Sequence, residues 1–265
     1  MRMRILSSAA FAMLAVAGTN ASAQIVDVVG LTPPSGGSGA VNSHMWTGGA
    51  PDSVLWDNGP VFDLPGPPPL SQLISPNSTF GFGAQTAGTT SNAVADNFTV
   101  SGGGWNLTQL TFFMYQTGAT SFTFTGLNYQ ITNAHGDPIA WTAGTINNGG
   151  LVAYRVQNTT PTNTQRPIFA IQVPVNLFLG DGNYVLRWQA AGTLTSGPWQ
   201  PPVVPTTGGN GTQSLNGAAF NPAIDTGGNI GVDFPFLVEG TVVPAPGSLA
   251  ILGLGGLLAA RRRRS

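Results

Sequence analysis

The chain of 265 residues contains no cysteine and no lysine, and only 7% of its residues are charged. The missing cysteine excludes thiol nucleophiles, disulfides, zinc fingers and iron–sulfur ligation. The missing lysine leaves nine arginines as the only strong bases, and six of these, Arg2, Arg4 and Arg261 to Arg264, lie at the two ends. Residues 24 to 243 therefore carry Arg155, Arg166 and Arg187 against ten acidic side chains, a net charge of −7 (3 − 10). Such a body cannot neutralise a run of phosphates, which excludes nucleic acid as a partner. It has no electrostatic hold on anionic lipid either.

What the chain does have is glycine (37), proline (21), phenylalanine (14) and tryptophan (6), with 42% hydrophobic residues overall. That is enough apolar material for a real core. No stretch shows a convincing amphipathic helical period. Short runs of Phe, Tyr, Trp, Val, Ile and Thr alternate instead with Gly, Asn and Pro turns, the all-β pattern.

Strands are predicted at 97–100, 105–116, 121–132, 151–157, 167–173, 183–190 and 230–238. In the second, Leu110, Phe112 and Met114 share one face while Leu107, Phe113 and Tyr115 share the other, so cover is expected on both sides. In the third, Phe122 and Phe124 occupy even positions and Leu127, Tyr129 and Ile131 odd ones. A period of two cannot change face without an extra residue, so a β-bulge is predicted at Gly126. About eight strands suit an antiparallel two-sheet β-sandwich or jelly roll over residues 92–242. Residues 24–91 form a Pro/Gly-rich segment with few strands, and 198–211, with four prolines, reads as a surface loop.

The ends read as address labels, each with a short hydrophobic helix. Residues 1–23 combine Arg2 and Arg4, the apolar run Ile5 to Gly18, and Ala21-Ser22-Ala23. This is the layout of a signal peptide cut by signal peptidase after Ala23. An apolar run of about 14 residues reaches only ~21 Å, short of a ~30 Å hydrocarbon core. Residues 243–265 mirror it: Pro244, Ala245 and Pro246, an apolar run to Ala260, then Arg261, Arg262, Arg263 and Arg264. The arginines would stay cytoplasmic, with the body outside.

This tail resembles the PEP-CTERM sorting signal of bacterial exported proteins, with Ala245 where that family usually has glutamate. The resemblance implies a transient hold in the inner membrane, removal of the tail by an exosortase-type sorting protease, and release of the body to the cell surface or extracellular matrix. The region from about Asn92 to Glu239 also resembles a body seen on planctomycete-type surface proteins. It does so through Asp96-Asn97-Phe98-Thr99-Val100, Gly102-Gly103-Gly104-Trp105 and Gly197-Pro198-Trp199. That resemblance implies no particular activity.

No catalytic constellation is evident. The two histidines, His44 and His135, have no supporting ligand pattern, and the Gly-Xaa-Ser-Xaa-Gly elbow is absent. Most of the nine Asp sit beside Gly, Asn or Pro, as turn formers do. No cofactor is expected, apart from calcium at Asp181, Asn183, Asp225 and Asn229, residues of the type that gathers in β-sandwich loops. Trp141 and Trp199 are the tryptophans expected to be exposed and able to stack on sugar rings. The expected function is a non-enzymatic surface or matrix protein associating with polysaccharide. A secreted glycan hydrolase, which would need two carboxylates across a cleft, and a purely structural coat component are the alternatives.

Overall fold

The computed structural model describes residues 53–86, 91–133 and 142–243. The described residues are all-β and contain no helix. In chain order the first strands are Ser53–Asp57 (β1), Leu70–Leu73 (β2), Phe82–Gly83 (β3), Ala93–Val100 (β4), Trp105–Tyr115 (β5), Phe124–Asn133 (β6), Thr142–Gly144 (β7) and Asn147–Gln157 (β8). They continue with Pro167–Leu179 (β9), Gly182–Gly192 (β10), Trp199–Gln200 (β11), Thr212–Ser214 (β12), Asn221–Pro222 (β13), Ile224–Asp225 (β14), Ile230–Gly231 (β15) and Phe236–Val242 (β16).

One sheet runs β1-β16-β5-β9-β8-β2, with β11 bonded to β5 and β3. A second runs β13-β12-β4-β10-β6-β7, and β14 and β15 form a small hairpin. Facing side chains of the two large sheets share one apolar cluster. The first sheet supplies Leu107, Phe112, Ile171, Phe236 and Val238, and the second supplies Val94, Phe98, Leu186 and Trp188. Trp188 lies at the centre, fully buried, with the rings of Phe112 and Phe236 at 5.3 and 5.7 Å and its Nε1 donating to Gln200 Oε1 at 2.9 Å. A buried indole needs such an acceptor, and a glutamine from β11 provides it.

The alternation of β10 explains its placement. Tyr184, Leu186, Trp188 and Ala190 point into the cluster, so Val185, Arg187 and Gln189 point away. In β6 the chain skips a partner: Gly126 pairs with Ala191, but Phe124 pairs with Gly192. Thr125 is the extra residue, next to the predicted Gly126, and it allows Phe124 and Leu127 to be buried together. A bulge at Thr108, unforeseen in the sequence, does the same in β5. Leu107 thereby joins Leu110, Phe112 and Met114 in the main cluster, and the expectation that it sides with Phe113 and Tyr115 is corrected. Those two aromatics belong to a second cluster on the other face, covered by Val61 and Phe62.

Three further expectations change. The sheets are not purely antiparallel, because β2 runs parallel to β8. The chain reverses between Leu64 and Leu70, whose backbones bond each other, and so enters the sheet in the direction of β8. The stretch 198–211 is a surface loop only in part, since Trp199–Gln200 is a strand and Pro201, Pro202 and Val204 are buried, while Pro205 and Thr207 are exposed in irregular chain. Lastly, 230–238 is interrupted between Gly231 and Phe236, where Pro235 offers no N–H to a ladder.

Candidate functional site

After β1 the chain runs Asn58-Gly59-Pro60, and after β11 it runs Val203 to Gly208. These two segments and Asp233 line a cleft of about 230 Å³. Its position follows from backbone bonds, with Val204 N donating to Pro60 O at 3.1 Å and Val203 N to Asp233 O at 2.9 Å. Asn210 N donates to Asp233 Oδ1 at 2.7 Å and fixes that carboxyl. A side chain at Gly209 would collide with the Asp233 backbone, so this turn requires glycine.

Behind the cleft lies Asp96, projecting inward from β4 and 2% exposed. Its Oδ1 accepts from Asn97 N at 2.7 Å, and its Oδ2 accepts from Phe234 N at 2.7 Å and Asn58 Nδ2 at 3.1 Å. Asn58 is oriented by Trp56 Nε1, which donates to its Oδ1, and by Phe234 O, which accepts from its Nδ2. Burial, and next the like charge of Asp233, push the Asp96 carboxyl well above its ordinary range, while the three N–H donors pull it back. Burial also raises Asp233, against the backbone N–H groups of Asn210 and Gly211.

These shifts have a definite sign. Between the raised native pKa of Asp96 and its unfolded value of 3.8, the folded chain binds more protons than the unfolded one. Stability should therefore increase as pH falls through that window. Asp233 adds to the same trend. Urea midpoints measured from neutral pH downward are expected to rise, and Asp96→Asn to flatten the rise. An unchanged slope in that variant would remove Asp96 as the cause.

The residues expected from sequence fall elsewhere. Trp199 is half-buried, with its ring packed on the second cluster and its Nε1 donating to Ser196 Oγ at 3.3 Å, so it is less open than a loop tryptophan would be. Trp141 lies outside the described residues, as do Ala23, Pro244, Ala245, Pro246 and Arg261 to Arg264. The four calcium candidates occupy two separate turns. Asp181 accepts from Gly103 N at 2.9 Å, and Asn183 Oδ1 from Thr99 Oγ1 at 2.8 Å. Asp225 is 1% exposed and ringed by backbone donors, and Asn229 sits at φ 48° in the β14–β15 turn. No group of three acidic or histidine side chains converges among the described residues.

No family model, curated protein or solved structure matches this chain. The site therefore rests on its own geometry. Sequence reading did not single out Asn58, Asp96 or Asp233 as site residues. A signal for Asp96 was present, since it holds an inward position in a strand whose other inward residues are Val94, Phe98 and Val100. An acid at such a position needs donors from elsewhere in the fold.

Proposed function

We propose that this is an exported cell-surface or extracellular-matrix protein, a β-sandwich of the jelly-roll kind that acts by non-covalent association with polysaccharide. The carrying observation is the make-up of the cleft. Among the described residues Asp233 is its only charged lining residue, beside Asn58, Thr206, Thr207, prolines, valines and glycine backbone. A carboxylate flanked by amide and hydroxyl groups suits a polyhydroxylated ring. The volume of about 230 Å³ is below the ~300–1,000 Å³ of sites for larger ligands, so one sugar residue or a chain end is the fitting occupant.

The hydrolase reading is less well supported. Glycoside cleavage needs two carboxyl groups flanking the bond. The second carboxyl here, Asp96, stands behind Asn58, and both its oxygens are taken by N–H donors. A purely structural coat component would leave the cleft without use.

For the ends, the proposal is cleavage after Ala23 by signal peptidase and removal of the tail near Pro244 to Pro246 by an exosortase-type protease. The last backbone bond before that tail, from Val243 N to Gly104 O at 2.8 Å, favours this reading, because cutting beyond it spares every described sheet. No cofactor is proposed.

The test is binding of the full chain to the host's extracellular polysaccharide, beside Asp233→Asn and Trp199→Ala. Asp233→Asn should weaken binding about tenfold, which corresponds to about 1.4 kcal/mol. Loss in Trp199→Ala alone would move the site to that tryptophan. Newly released reducing ends would establish the hydrolase. Neither binding nor cleavage would leave the coat component.

A further inference from the structure

We propose that the end of the body formed by Phe178, Leu177, Val242 and the loop Gly102–Gly104 is a membrane-contact surface, which rests against the lipid interface while the C-terminal apolar run lies in the bilayer. This rests on the sorting-tail reading above and goes beyond it by naming the face of the body that meets lipid.

Large apolar side chains left in water need a reason when they cluster. Among the described residues the three most exposed are Phe178 at 56%, Leu215 at 53% and Val242 at 50%. Two of these three, Phe178 and Val242, are at one end of the first sheet, and Leu177, 38% exposed, adjoins them. Their placement follows from the ladder: Phe178 pairs with Asn106, Leu177 with Leu107 and Val242 with Trp105, all at the beginning of β5.

The glycine loop preceding β5 separates Phe178 from Val242. A Cβ on Gly104 would stand 2.7 Å from the Phe178 ring, and one on Gly102 would stand 3.5 Å from Val242 Cγ1. Gly102, Gly103 and Gly104 have φ of 94°, 109° and 106°, a conformation that side chains resist. The loop therefore lies between Phe178, on the outer face of the sheet with Asn106, and Val242, at the rim of the inner face with Trp105.

The occupant is identified by the chain that leaves this end. Val243 is bonded to Gly104, and the apolar run begins at Gly247. Only Pro244, Ala245 and Pro246 intervene, so Gly247 stands within about 14 Å of Val243 even when the chain is fully extended. If the run is in the bilayer, this end of the body stands at the headgroups. A phenylalanine and two aliphatic side chains are what such an interface takes up. Asp181, whose carboxylate caps Gly103 N, is the acid of this end, and the body holds no cationic patch. The contact is accordingly apolar and insensitive to salt. It would also hold the bond to be cut at a fixed depth.

The chain has no cysteine, so single-site labelling is clean. Full-chain Phe178→Cys, Val242→Cys, Leu215→Cys and Leu252→Cys, each carrying an environment-sensitive fluorophore, would be reconstituted in phosphatidylcholine vesicles containing spin-labelled acyl chains. Labels at 178 and 242 should be quenched about two-fold or more relative to the label at 215, equally at low and high salt. Quenching at 252 without quenching at 178 and 242 overturns the contact surface and leaves the anchored tail intact. Absence of quenching at all four positions overturns both.

Discussion

Replacement of Arg155 by methionine should lower the unfolding free energy by about 3–5 kcal/mol. The side chain projects from β8 and has no exposed surface. Its guanidinium donates to Phe80 O at 3.0 Å, Gln72 O at 3.0 Å, Thr79 O at 3.2 Å and Ser71 Oγ at 3.2 Å. Burial is the largest influence on it and pulls its pKa down to about 10, with Tyr115, Asp63 and Asp225 acting in the opposite sense. It is still charged at neutral pH. Methionine would relieve the cost of burying that charge. Against this stand four bonds to an ionised donor at about 1.5–3 kcal/mol each, and three carbonyls that would be left without a partner. The losses outweigh the relief. Arg155→Lys should recover only part of the difference, because one ammonium cannot replace a planar fork that reaches Ser71 and Phe80 together. Urea denaturation decides it: a methionine variant as stable as the parent would show that the four bonds contribute nothing net.

The second large effect is expected at Asp225, where alanine should cost about 2–4 kcal/mol. Its Oδ2 accepts from Thr79 N at 2.7 Å, its Oδ1 from Gly228 N at 2.8 Å and Gly227 N at 3.0 Å, and both oxygens from Ser78 N at 3.1 Å. Desolvation is the largest single influence on this carboxyl and raises its pKa, but the N–H donors together outweigh it and the net shift is downward. The stabilisation is thus present above 3.8 and disappears as pH falls through the lower native value, the reverse of the trend at Asp96. Arg155 and Asp225 act on one segment. The cation takes carbonyls from residues 72, 79 and 80 while the anion takes the N–H groups of 78 and 79. Their double variant should lose less than the two single losses added together. Strict additivity would show that the segment is not held as one unit.

Much of the sheet framework was legible because it is written locally. Alternation in β10, β-formers in β4 and β9, and the change of parity around Gly126 all involve residues adjacent in the chain. Residues 53–85 were harder to read. Strands β1 and β2 have five and four residues, and their partners β16 and β8 are distant in sequence, so no local turn announces them. The cleft was illegible for the same reason, since residues 58–60, 203–208 and 233 meet only through tertiary bonds. Trp199 was misjudged as a loop residue because prolines flank it. Those prolines are buried together with Gln200, whose side chain satisfies Trp188, and they mark a packed strand end.

The last described strand, β16, lies between β1 and β5 in the first sheet. Among the described residues strand β1 has no other partner, and β5 obtains one of its two long ladders from β16. A ribosome delivers the polypeptide from its N-terminus, so this sheet stays divided until residue 242 has emerged. Closure of the sheet is then a late, long-range event, slow by nature because loop entropy is lost before the contacts form. A copy truncated before residue 236 would lack the strand that joins β1 to β5, and its first sheet would stay divided.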